Sequence, residues 1–162
     1  MDPAEHVRSL IAYNRWANER VFDVVAQLTS EEAGHGENPH FLTIRGTLGH
    51  IAGAQGTWLR RWTDGRAEEA RASDTIEALR GEFARLHDEL DAFARDFRPE
   101  DWDRARVYVD SRGDEQRDTL GTQIVHTVNH GTYHRGELSV LLGEAGRSPG
   151  DLDYLIFARK TK

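Results

Sequence analysis

The sequence predicts an all-α fold: a four-helix bundle in a single domain over residues 1–162, with a short hairpin or loop excursion between the third and fourth helices. Three observations predict it. Four long stretches repeat apolar residues at steps of three and four, the period of a helix with one buried face. Polar stretches with Gly or Pro breakers separate them. Only the segment from Arg104 to Arg117 breaks the helical period. Long amphipathic helices with one such excursion bury their apolar faces by packing as a bundle.

The first helix is expected from about Pro3 to Leu28. Val7, Leu10, Ile11, Ala17, Val21, Val24, Val25 and Leu28 mark its stripe, and Asn14 is the one polar member. Pro3 suits a first-turn position, where its missing N–H costs nothing. Thr29 to His40 reads as a polar connection broken by Gly34, Gly36 and Pro39. The second helix is expected from an N-cap at Thr43 to about Trp62, with Ile44, Leu48, Ile51, Gln55, Trp58 and Trp62 as its stripe. Asp64-Gly65 ends it.

The third helix has the clearest pattern. Asp74 and Glu77 resemble a capping box with Asp in the Ser/Thr position. Ile76, Leu79, Phe83, Leu86, Leu90, Phe93 and Phe97 then form a bundle seam, which Pro99 closes. Val107-Tyr108-Val109 followed by Asp110-Ser111-Arg112-Gly113 reads as a strand and turn. The fourth helix is expected from about Thr119 to Ala145, with Gly146 at C′. Asp151 to Ala158 adds a further helical turn. Of the aromatics, Trp16, Phe22, Trp58 and Trp62 are expected mostly in the core, with some lining a pocket or a subunit contact.

Composition narrows the function classes. Lys and Arg number 21 against 28 Asp and Glu, a net charge of −7. That balance argues against a nucleic-acid partner, since phosphate binding wants a basic face. No apolar run approaches the roughly 20 residues of a membrane span, and Met1 to His6 lacks the character of a signal peptide. A cytoplasmic location is therefore expected, with no membrane partner. Cysteine is absent while histidine reaches eight. Disulfides, Cys-ligated metal centres and a cysteine nucleophile are thus excluded. A metal can bind only through nitrogen and oxygen, and thiol chemistry needs a thiol from outside. The chain carries no P-loop, nucleophile-elbow serine or His-Glu-x-x-His motif.

The fourth helix carries His126, His130 and His134 at intervals of four. Histidines at i and i+4 project from one face and can share a metal ion. All three cannot, because His126 and His134 are roughly 12 Å apart along the axis. The pair is therefore His126 with His130, or His130 with His134. On a helical wheel Leu120, Ile124, Leu138, Leu142 and Ala145 cluster on one side. His134 lies about 40° from its centre, His130 about 80° and His126 about 120°. Bundles build sites from inward-facing side chains, which favours His130 and His134 and leaves His126 at the rim. A surface or hydrogen-bonding role is the plainer reading of any single helical His.

A third ligand must come from another helix. His50 is the best candidate, flanked by the small residues Gly46, Thr47, Gly53, Ala54 and Thr57, although it lies off the main stripe of its helix. His87 reads as a boundary residue of the third helix. His6, His35 and His40 read as solvated. Glu137, one turn beyond His134, is a candidate catalytic residue that could orient a ligand or accept a proton. A solvated helix glutamate is the plain alternative.

Three stretches resemble the DinB-like family of metal-binding bundles, the DinB/YfiT-like fold. They are Tyr13-Asn14-Arg15-Trp16-Ala17-Asn18, Ile44-Arg45-Gly46-Thr47-Leu48-Gly49-His50-Ile51 with Trp58 following, and the run from His126 to Leu138. The fourth-helix run is the most specific, and the match extends from about Tyr13 to Tyr154. The resemblance implies one divalent metal ion held by His50, His130 and His134. Tyr133 stands where many members have another His, and Glu137 where many have Gln. Imidazole ligation suits several metals, and zinc or nickel is expected.

Three neutral histidines leave a divalent ion its full charge and an open position. Such an ion lowers the pKa of bound water to about 7 or holds a thiol as thiolate. Relatives of this fold include transferases and isomerases that use low-molecular-weight thiols such as bacillithiol or mycothiol, and others described as metal-dependent hydrolases. The expected function is a metal-dependent thiol S-transferase acting on a small molecule. A hydrolase, or a non-catalytic metal- or ligand-binding dimer, are the alternatives. The resemblance also implies a homodimer.

Overall fold

The computed structural model describes residues 2–34, 43–63 and 75–160. Its long helices are α1 (Pro3–Val25), α3 (Ile44–Thr63), α4 (Ile76–Asp96) and α5 (Leu120–Glu144), and α2 (Ser30–Gly34) and α6 (Tyr154–Lys160) are short. A 3-10 turn (Pro99–Asp101) and a hairpin of β1 (Ala105–Val109) and β2 (Glu115–Thr119) join α4 to α5. The expected bundle and its excursion are both present. None of the described helices is long and apolar enough to cross a membrane.

Side-chain caps set the helix starts. The Asp2 carboxylate accepts the Glu5 N–H at 3.2 Å, just ahead of Pro3. Thr43 Oγ1 accepts the Gly46 N–H at 2.9 Å, as the sequence predicts. The expected cap at Asp74 lies outside the described residues, and the cap that opens α4 is Thr75, whose hydroxyl accepts the Ala78 N–H at 3.1 Å. Thr119 caps α5 through the Thr122 N–H at 3.2 Å. At its far end Gly146 takes φ 68°. The Gly146 N–H reaches Gly143 O at 3.0 Å and the Arg147 N–H reaches Leu142 O at 2.8 Å, so the last carbonyls are satisfied.

Two readings need correction. The first helix stops at Val25 rather than Leu28, and a separate helix, α2, follows. Thr29 and Glu32 form a reciprocal capping box, with Thr29 N–H to Glu32 Oε2 at 2.7 Å and Glu32 N–H to Thr29 Oγ1 at 3.2 Å. The hairpin pairs antiparallel from Ala105↔Thr119 to Val109↔Glu115. Asp110 holds its turn by accepting the Arg112 and Asp114 N–H groups at 2.9 and 3.0 Å. Arg61 ties it to α3. Its guanidinium lies over the rings of Trp58 and Tyr108 and donates to Val109 O at 2.7 Å.

In the bundle α1 packs on α4 and α5, and α3 packs on the same two helices. The apolar residues separate into two main clusters. One gathers Val21 and Val25 of α1, Ile44 and Leu48 of α3, Leu79 and Phe83 of α4, and Leu138 and Leu142 of α5. The other gathers Val7 and Ile11, Trp58 and Trp62, Leu90 and Ala94, and Leu120 and Ile124. Along the chain, α1 and α5 therefore run one way and α3 and α4 the other. Between the clusters lies a layer with buried polar side chains, including Asn14, Asn18, His87, His134 and Arg135.

Candidate metal centre

The centre lies where α3 meets α5. His130 and His134 sit one turn apart on one face of α5, so their rings meet edge-to-face, with centroids 4.5 Å apart. The ring of His50 arrives from α3, with centroids 4.9 Å from His130 and 4.6 Å from His134. His50 Nε2 is 3.1 Å from His130 Nε2, and His134 Nε2 is 3.2 Å from the same atom. Nitrogens bound tetrahedrally to one zinc-sized ion at 2.0–2.1 Å lie about 3.3 Å apart. The three rings thus fit a single ion and form a group able to hold one. His134 is buried, whereas His50 and His130 are half-buried, so the cluster is not sealed from solvent.

The protonation states suit this arrangement. Burial, followed by the neighbouring His134, His50 and His126, pushes the His130 pKa down to about 4, against a smaller opposite pull from Glu137. The ring is therefore neutral at neutral pH. The Glu137 carboxylate accepts His134 Nδ1–H at 2.7 Å. That bond fixes the ring tautomer, leaves Nε2 as the acceptor nitrogen and holds the ring in place. Glu137, the candidate catalytic residue, thus lies against the three-histidine group through His134.

His126 is exposed at the rim, as expected, with its ring 5.9 Å from His130 and 5.3 Å from Trp58. On the other side of the cluster, exposed Tyr133 meets His134 edge-on at 5.0 Å. Phe22, Trp58 and Trp62 are core residues, and half-buried Trp16 packs on Phe157. Two histidines differ from their sequence reading. His6 is half-buried against Trp102, with centroids 5.7 Å apart. His87 is an interior residue, 3% exposed, because Asn18 of α1 supplies a partner: Asn18 Nδ2 donates to His87 Nε2 at 3.1 Å. Neither belongs to the three-histidine group. His35 and His40 lie outside the described residues.

Sequence reasoning missed Arg135. It is 2% exposed, and its Nη1 donates to Asn14 Oδ1 at 2.9 Å and Asn18 Oδ1 at 2.8 Å. Its Nη2 donates to Thr132 Oγ1 at 2.9 Å, and its guanidinium lies 5.6 Å from the Tyr13 ring centre. Burial pushes its pKa down. The signal was present: Asn14 and Asn18 lie four residues apart on the inner face of the first helix, and two buried amides require a partner.

Residues 3–162 match the DinB family. Protein DinB of Bacillus subtilis (strain 168) is 25% identical over 163 residues, covering 94% of each chain. The crystal structure of a DinB-like protein from Bacillus cereus ATCC 10987 superposes with a TM-score of 0.62 at 17% identity, covering 86% of this chain and 91% of that one. The structural likeness speaks for the fold, and the family match spans nearly the whole sequence: the chain belongs to the DinB family.

Proposed function

We propose that the chain is a metal-dependent enzyme in which His50, His130 and His134 hold one divalent ion, zinc or nickel, and a low-molecular-weight thiol is the co-substrate of an S-transfer reaction. The observation that carries the reading is the convergence of three histidine nitrogens at 3.1 and 3.2 Å spacing. Such an ion supplies Lewis acidity, lowering the pKa of a thiol or water brought to it. The residues around it do the rest. His130 presents a neutral nitrogen. Glu137 holds His134 by its other ring nitrogen, which makes it a positioning residue in this reading. The exposed rings of His126 and Tyr133 flank the centre, where a small-molecule substrate enters.

A thiol fits better than water for one specific reason. Glu137, the carboxylate bonded to the centre, already accepts a hydrogen bond from His134. A thiol, with an ordinary pKa of about 8.5, needs far less help to ionise than water does. The sequence supplies no competing cysteine. The reading includes a cytoplasmic homodimer. Val125 and Val140, exposed on α5, support the dimer.

The test pairs zinc- or nickel-loaded protein with bacillithiol, mycothiol or glutathione and the electrophile monochlorobimane. Conjugation that requires both metal and thiol is expected. Absence of thiol binding and conjugation with every thiol tried would sink the transferase reading. Hydrolysis of esters or amides by the loaded protein without thiol would put the hydrolase in its place.

A further inference from the structure

We infer that Arg135 is the positioning residue that sets the rotation of α5 and thereby aims His130 and His134 at His50. This inference rests on the three-histidine reading of the centre. Two of the histidines belong to α5 and the third to α3, so a single ion demands one particular rotation of α5 about its axis. At about 100° per residue, a 20° rotation displaces an imidazole nitrogen by about 2 Å, the length of a metal–nitrogen bond. Apolar packing of Leu138 and Ile124 tolerates such slippage better than a directional bond does.

Arg135 supplies the directional bonds. It follows His134 in the chain, so its side chain leaves α5 toward α1 while that of His134 leaves toward α3. Its guanidinium grips Asn14 and Asn18, one turn apart on α1, at 2.9 and 2.8 Å, and Thr132 of its own helix at 2.9 Å. Asn18 passes the connection on to His87 of α4 at 3.1 Å. One buried fork therefore references α5 to two other helices, and its hydrogen-bonding partners are all uncharged. Burying a cation with uncharged partners is a poor way to gain stability, so a purely structural account leaves the choice of Arg unexplained. A fixed planar fork that recognises two amides at once explains it.

Gly131 keeps the cradle open. A Cβ at that position would stand 2.9 Å from Arg135 Nη1 and 3.0 Å from Asn14 Oδ1. It sits between His130 and Thr132 in sequence, so the same turn that carries a histidine of the centre also clears space for the fork.

The experiment measures zinc affinity by chelator competition and records the visible absorption of the cobalt-substituted protein, for the parent, Arg135→Lys and Asn14→Ala. Arg135→Lys keeps the charge and removes the fork. Asn14→Ala removes one bond and leaves the Asn18 bond in place, so it answers the question if the Arg135 variant does not fold. The expected result is a loss of zinc affinity of about tenfold or more in Arg135→Lys and about threefold or more in Asn14→Ala, with weakened tetrahedral cobalt bands. Folded variants that bind zinc within twofold of the parent with unchanged cobalt bands, even if less heat-stable, would overturn the inference and leave Arg135 a stabilising residue only. A parent that binds neither metal would instead overturn the three-histidine reading itself.

Discussion

Two side chains carry the account at the scale of single residues. Glu137 holds His134 through a 2.7 Å bond to Nδ1. Removing a carboxylate that orients a ligating histidine costs about 10–100-fold in metal affinity. Glu137→Ala is therefore expected to lose that much in a zinc competition titration, and Glu137→Gln, which keeps an acceptor, should lose less. His87 predicts a pH effect. Burial, with a smaller contribution from nearby Arg15 and against opposing pulls from Glu19, Asp91 and Asp88, pushes its pKa from 6.5 down to about 4. The folded state keeps His87 neutral while the unfolded chain takes up a proton below about pH 6.5, so acid favours unfolding. The stability from His87 is complete above about pH 6.5 and is lost as the pH falls to about 4. In urea titrations, His87→Gln should show a shallower decline over that window than the parent, by up to about 3 kcal/mol. Parallel declines would place the acid sensitivity elsewhere. The sequence identified His87 as a poor ligand candidate but could not bury it, because its partner, Asn18, is 69 residues away in the chain.

At the scale of elements, the long helices were legible because each repeats its apolar residues every three or four positions and carries its own cap. Local signals also fixed Thr43 and Gly146. Helix α2 escaped notice because five residues cannot show a period, although Thr29 and Glu32 had the spacing of a capping box. The side on which α3 meets α5 was likewise hidden. Periodicity marks the apolar stripe of α3, and His50 lies off it, so nothing local says that a second helix covers that flank. The start of α5 supplies a prediction. Gly121 lies against the indole of Trp102, and a Cβ there would overlap Trp102 Cδ2. The gain in helix propensity from Gly to Ala is about 1 kcal/mol. Displacing a packed indole costs more, so Gly121→Ala should lower stability by a net amount of about 1–3 kcal/mol in chemical denaturation. An unchanged or raised midpoint would show that the indole moves aside freely.

At the scale of the whole molecule, two apolar clusters are separated by a layer containing buried polar groups. The amide and guanidinium bonds in that layer join α5 to α1 and α1 to α4. The three histidines lie where α5 meets α3. An ion there would close the remaining side of α5 and stabilise the folded state in proportion to its affinity and concentration. This division could be glimpsed in the sequence only as oddities: an asparagine in an apolar stripe and histidines at intervals of four. Their meaning depends on which helices become neighbours. The three-histidine centre is tested by the divalent metal content of the purified protein beside a His130→Ala, His134→Ala double variant. About one ion per chain is expected in the parent and almost none in the folded variant. Equal content in both would mean that His130 and His134 do not hold the ion.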